Sequence, residues 1–276
     1  MCKYVVYCIY KYEENGVYPI LYMKNNKKKH NHKVAEYLLV IIPLVLVLTI
    51  LSRCIPDGVI RLDIGESGIG EKAIALTFDD GPGPYTEELL DGLAEYGAYA
   101  TFFVIGSKAE KNPEVVMRAY EEGHLIGNHT YDHLDFYKAN LQEITESIEK
   151  GADVIENITG ERPIFLRAPY GNVNFLQLKQ LDCFFIHWSD STYDWLKEDA
   201  DYIYKRIMSE ARDGAIILMH DTRQATVQAA LRAIPELQEQ GFELVRVDEL
   251  LSRNGDKLRM GTPYRSCKYD RGAVAF

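Results

Sequence analysis

The sequence predicts an α/β fold: a parallel sheet of about seven strands interleaved with helices, preceded by one N-terminal membrane-anchor helix. Three observations predict it. Short apolar runs alternate with amphipathic stretches from residue 72 onward, the signature of strand–helix units. A Lys-rich segment precedes an apolar run near the N-terminus. The residues able to do chemistry fall just after the apolar runs, where strands end and loops begin.

The N-terminal region comes first. Residues 24–33 read Lys-Asn-Asn-Lys-Lys-Lys-His-Asn-His-Lys, and residues 37–51 are greasy apart from Pro43 and Thr49. A basic flank before an apolar run marks a secretory signal or signal anchor, because positive charge stays on the cytoplasmic side. The run is short against the ~20 apolar residues of a span. It extends over 34–55 when Glu36 and Arg53 snorkel. No small-x-small site precedes the body, and Arg53 stands where a lipoprotein-like Leu51-Ser52-Arg53-Cys54 would need a small residue. An uncleaved anchor with the body outside is therefore favoured over a cleaved, secreted form. Residues 1–33 are then a cytoplasmic segment and 56–69 a linker. Residues 1–22 fit no targeting pattern. A start at Met23 would give a short basic leader and leave 1–22 untranslated.

Charge is unevenly spread over the 276 residues. Residues 1–59 hold 8 of the 31 Lys/Arg and 4 of the 41 Asp/Glu, which leaves 23 basic against 37 acidic residues in the body. An acidic body without a basic stripe argues against nucleic acid as a partner. The cysteines, Cys2, Cys8, Cys54, Cys183 and Cys267, are odd in number and fit neither a zinc finger nor a disulfide scaffold. Cys183 reads as a core thiol, and Cys54 and Cys267 are placed to pair if both lie outside the membrane.

In the body, strands are expected over 73–78, 100–105, 125–127, 164–167, 184–188, 215–219 and 243–247. Helices are expected over 86–96, 113–122, 141–159, 175–180, 199–212 and 226–240. Asn112-Pro113 and Gly123 supply start and stop signals for one of them. Units of this kind close into a barrel or form an open doubly wound sheet. The catalytic domain is expected over 70–252, and 253–276 reads as a tail. Oligomeric state is left open.

Five strand ends carry chemistry. Asp79 and Asp80 end the first strand, and Gly81-Pro82 is expected to break it so that both carboxylates face one site. His129 and His133, at i and i+4, are expected to share one face of a helical turn and reach one metal. With Asp80 they form a nitrogen–oxygen donor set suited to Zn²⁺, with Co²⁺ or Mn²⁺ as alternatives. Arg167-Ala168-Pro169-Tyr170-Gly171 places an Arg able to orient a carboxylate before a loop whose N–H groups can meet an oxyanion. Asp194-Trp195 follows the fifth strand, and His220 emerges from the sixth.

These five motifs, in this order over about residues 70–252, resemble the polysaccharide deacetylase family (carbohydrate esterase family four, the chitooligosaccharide deacetylase-like domain). The resemblance implies a distorted (β/α) barrel and metal-dependent removal of acetyl groups from an acetylated polysaccharide. It implies that Asp79 is the catalytic base and that Asp80, His129 and His133 hold the metal. Arg167 would tune Asp79, Tyr170 would offer its backbone N–H, Asp194 would orient His220 as general acid, and Trp195 and Leu218 would wall the acetyl pocket. One position departs: the family's further Asp, three before the Asp-Trp pair, is Ser191 here. His124 and His187 match no catalytic position and read as structural. With the expected anchor, peptidoglycan N-acetylglucosamine is the first choice of substrate. Chitin oligosaccharides, an exopolysaccharide, O-acetyl xylan, or a non-catalytic wall-binding role are the alternatives.

Overall fold

The computed structural model describes residues 4–13, 16–25, 72–253 and 258–266. The chain divides into two units, Met1–Pro56 and Asp57–Phe276. In the first, β1 (Tyr4–Glu13) and β2 (Gly16–Asn25) pair antiparallel, from Tyr4↔Asn25 to Glu13↔Gly16. The sequence does carry a signal for this hairpin: two β-branched and aromatic runs meet at Asn15-Gly16. Met23 lies in β2 opposite Val6, so a chain starting there would lack β1. The anchor expected over 34–55, the linker and Cys54 and Cys267 lie outside the described residues. Among the described residues, no helix is long and apolar enough to cross a membrane.

In the second unit nine strands form one sheet, and every strand pair is parallel. They are β3 (Lys72–Gly81), β4 (Thr101–Val104), β5 (Leu125–Asn128), β6 (Phe165–Leu166), β7 (Phe184–Ile186), β8 (Asp190–Ser191), β9 (Ile216–His220), β10 (Phe242–Leu244) and β11 (Pro263–Tyr264). The order is β11-β7-β6-β5-β4-β3-β9-β8, with β10 against the start of β3. The seven expected strands are all present. The two additions, β8 and β11, have two residues each, too few for a period of two to register. β8 follows β7 closely in the chain yet pairs β9, and an antiparallel bridge Ala215↔Ser266 ties the segment after β11 to the start of β9. The sheet is thus a curved half-barrel rather than an open doubly wound sheet. Residues read as tail re-enter the core: Leu258 and Tyr264 are buried.

The helices are α1 (Thr86–Glu95), α2 (Gly106–Ala109), α3 (Pro113–Glu121), α4 (Leu141–Thr159), α5 (Phe175–Gln180), α6 (Ala200–Glu210), α7 (Gln224–Glu239) and α8 (Val247–Ser252). Local chemistry sets their ends. Pro113 opens α3, where its missing N–H costs nothing. Asn140 accepts from Glu143 N–H at 3.1 Å while the Glu143 carboxylate accepts from Asn140 N–H at 2.9 Å, a capping box for α4. Gly160, at φ 80°, ends that helix in the left-handed conformation.

Strand alternation sorts side chains into two layers. Ile74, Leu76 and Phe78 of β3 join Phe102, Ile217 and Met219 in the cluster packed on the helices. Ala73 and Ala75 join Phe103, Phe165, Phe184, Ile186 and Ile216 in a second cluster inside the curved sheet. Continuing the period, Thr77 and Asp79 of β3, and Leu218 and His220 of β9, fall on the interior face. The fold therefore delivers these residues to one end of the barrel by register alone.

Candidate active site

Asp79 is placed by alternation, but Asp80 should then point away. The chain breaks at Asp80 itself, which takes φ 68°, and the β3–β4 register shifts between Asp79 and Gly81. The expected break at Gly81-Pro82 is thus one residue early. Lys108 of α2 anchors the bulge by donating to the Asp80 carbonyl at 2.7 Å. A bulge beside an active site is a common way to re-aim a side chain.

His129 and His133 do not lie on a helix. They sit on the loop after β5, where Thr130 (φ 64°) and His133 (φ 59°) turn the chain so that both rings converge, with centroids 5.0 Å apart. The i, i+4 spacing was informative for a reason other than helical geometry. His129 Nδ1 lies 2.7 Å from the Arg167 carbonyl. Donating there fixes the tautomer and turns the Nε2 lone pair toward Asp80. Asp80 Oδ1 lies 3.4 Å from His129 Nε2 and 3.2 Å from His133 Nε2.

Arg167 is buried. It donates to Asp79 Oδ1 at 2.7 Å, to Thr77 Oγ1 at 2.8 Å, and to the carbonyls of Ile186 at 3.2 Å and His187 at 2.9 Å. Its guanidinium also lies 4.1 Å from the Phe103 ring centroid. Gly127 makes room for that ring: a Cβ there would sit 2.5 Å from Phe103 Cδ1. The second Asp79 oxygen, Oδ2, stays free of Arg167 and lies 3.8 Å from His129 Nε2.

Asp194 has no exposed surface. It accepts from His220 N–H (2.8 Å), Thr226 Oγ1 (2.8 Å) and Trp195 N–H (3.0 Å), and it pairs with His220 Nδ1 at 2.8 Å. Burial alone would lower the His220 pKa. The Asp194 hydrogen bond and charge, with Asp79 and Asp80 beyond, outweigh burial and raise it to about 8. Asp221, the next residue, is pushed up to about 7 by burial, against a 2.6 Å hydrogen bond from Thr86.

Asp79, Asp80, His129, His133, Tyr170, Trp195, Leu218 and His220 line one cavity of about 500 Å³. Arg167 and Asp194 stand behind it. Tyr170, at φ 60°, is exposed, and its ring packs on His133 with centroids 4.6 Å apart. Trp188, Ser191 and Tyr193 also line the cavity; Ser191 is the position that departs from the family pattern, and Trp188 and Tyr193 carry no chemical signal in the sequence. His124 is a buried ring and His187 a half-buried one, and desolvation lowers them to about 4 and about 3. His124 Nδ1 accepts from Ala100 N–H at 3.3 Å. Cys183 is a half-buried thiol pushed up to about 12 by burial.

Asp80, His129 and His133 suit a divalent cation. One ligand atom from each lies within 4.8 Å of the others. Asp80 Oδ1 is buried with no hydrogen-bond partner, an unsatisfied state that a cation would relieve. Burial, opposed and outweighed by the close approach and charge of His129 and the charge of His133, leaves Asp80 well below the usual carboxylate range. Burial, with the charge of His129, lowers the His133 pKa below the ordinary imidazole value.

The family model described as polysaccharide deacetylase matches residues 67–182. The peptidoglycan-N-acetylglucosamine deacetylase PgdA of Listeria monocytogenes is 40% identical over 194 residues, which span 70% of this chain and 41% of that protein. The chain thus spans about two fifths of that relative's length. The solved structure of peptidoglycan deacetylase PdaC from Bacillus subtilis is 38% identical, with TM-score 0.65, covering 66% of this chain and 91% of that one. A family 4 acetyl xylan esterase from Clostridium thermocellum, solved with a cobalt ion, is 30% identical, with TM-score 0.68, covering 71% of this chain and 100% of that one. Sequence, fold and the five motifs agree: the chain belongs to the polysaccharide deacetylase family, carbohydrate esterase family four.

Proposed function

We propose that the body hydrolyses N-acetyl groups of a cell-wall polysaccharide, with peptidoglycan N-acetylglucosamine as the preferred substrate, and releases acetate. One observation carries the reading: a cation-type donor triad, an Arg-held carboxylate and an Asp-paired imidazole all serve the same cavity. In this reading Asp80, His129 and His133 hold a divalent cation, Zn²⁺ first, with Co²⁺ or Mn²⁺ as alternatives. When bound, the cation supplies Lewis acidity and lowers the pKa of water toward about 7.

Asp79 is the base. Arg167 occupies its Oδ1, so Oδ2 takes the proton as water attacks the acetamide carbon. The oxyanion meets the Tyr170 backbone N–H. The N–H groups of Gly171 and Asn172 close the turn onto Ala168 and Pro169, and the Tyr170 N–H takes no part in that closure. One such donor is typically worth ~10²–10³ in rate. His220, with Nδ1 committed to Asp194, gives the proton on Nε2 to the departing amine. Trp195 and Leu218 wall the acetyl methyl.

The names of the relatives favour peptidoglycan, and the expected anchor over 34–55 would keep the body at the membrane, facing the wall. The full coverage of an acetyl xylan esterase supports O-acetyl xylan as the second reading. Purified chain incubated with peptidoglycan fragments, N-acetylated chitin oligomers and acetylated xylan, with and without chelator, decides by mass spectrometry. Peptidoglycan should lose acetyl groups fastest and only without chelator. Acetate release from none of the three would end the proposal in favour of a binding role. Asp79→Asn should abolish release while cation binding persists.

A further inference from the structure

We infer that Tyr193 is a sugar-stacking residue, its ring receiving the pyranose next to the one whose acetyl group enters the cavity. The inference rests on the deacetylase reading of the same site. Tyr193 takes φ 55°, a left-handed conformation that a bulky side chain adopts only where its surroundings enforce it. Here both sides of the residue are clamped. Its N–H donates to Ser191 Oγ at 3.2 Å, and its carbonyl accepts from Leu196 N–H at 3.0 Å and Lys197 N–H at 3.1 Å.

The enforced turn sends the ring to the cavity, which it lines beside Trp195, with centroids 6.5 Å apart. The ring is still 43% exposed. Arg206 of α6 backs it, with the guanidinium carbon 5.4 Å from the ring centroid. Arg206 is itself held by the Ser191 carbonyl at 3.2 Å and by Glu210 at 2.7 Å. A phenol that is braced behind, open in front and strained in its backbone suits the apolar C–H face of a hexose, and its hydroxyl can meet a sugar hydroxyl. The chemical class of ligand is an N-acetylhexosamine chain longer than one residue.

Asparagine tolerates left-handed φ, so Tyr193→Asn removes the ring and spares the turn. In the full chain carrying Asp79→Asn, binding of chitin tetrasaccharide would be followed by calorimetry and binding of N-acetylglucosamine by ligand-observed NMR. Tyr193→Asn should weaken tetrasaccharide binding roughly tenfold and leave the monosaccharide unchanged, whereas Tyr193→Phe should stay within about twofold. Unchanged tetrasaccharide binding in Tyr193→Asn would overturn the inference. So would equal weakening of both ligands, which would assign Tyr193 to the shape of the Asp194 loop. If the Asp79→Asn chain with Tyr193 intact bound neither ligand, the deacetylase reading itself would fall first.

Discussion

Replacing Asp194 with Asn separates charge from shape at the acid. His220 reaches about 8 because Asp194's hydrogen bond and charge outweigh burial. With that charge removed, burial dominates and His220 should fall below its ordinary 6.5. At about pH 7.5 its protonated fraction then drops from about three quarters to under about a tenth, a loss of roughly eightfold or more. At about pH 5.5 the protonation loss is small. The alkaline limb of kcat/KM should therefore move from about 8 to below 6.5. Stability follows the same linkage. A raised imidazole stabilises the fold fully below 6.5, and that contribution, about 2 kcal/mol, is lost as pH rises through about 8. The substitution also leaves at least one buried donor unmet, because Asp194 accepts from four donors and an amide offers a single oxygen. That costs about 1–3 kcal/mol, or roughly 2–12 °C in Tm. The assay is a pH–rate profile of acetate release beside thermal melts. A uniform loss with the alkaline limb unmoved would refute the argument and leave Asp194 as a positioning group only.

Other perturbations read other parts of the site. Arg167→Met should destabilise by about 3–5 kcal/mol, since it strands a buried Asp79 carboxylate; a melt within about 2 °C of the parent would contradict this. Gly127→Ala should cost about 1–3 kcal/mol by driving a Cβ into Phe103, and should lower kcat through Arg167, which rests on that ring. Burial lowers His124 to about 4 and His187 to about 3. Stability should therefore hold above about 6.5 and decline as pH falls through those values; a flat acid limb in chemical denaturation would show these rings to be charged in the fold.

Much of this was legible in the sequence because period and position carry physical meaning. The interior layer follows from alternation alone: Ala73, Ala75, Thr77 and Asp79 share a face. The five motifs sit at strand ends because side chains there are held by a packed layer yet open to a cavity. What periodicity misses is local. Two-residue strands such as Asp190–Ser191 and Pro263–Tyr264 offer no pattern. The convergence of His129 with His133, and of Asp80 with both, depends on left-handed residues at Asp80, Thr130 and His133. None of the three is glycine, so composition gave no warning. Tyr193 takes the same left-handed conformation without being glycine.

The central claim is that one divalent cation is held by Asp80, His129 and His133 and is needed for acetyl removal. Zinc titration of the metal-stripped chain, by calorimetry with parallel acetate release, tests it directly. One equivalent per chain should bind and restore release, and His133→Ala should lose both together. Zinc binding left intact in His133→Ala, or acetate release undiminished in the stripped chain, would contradict it.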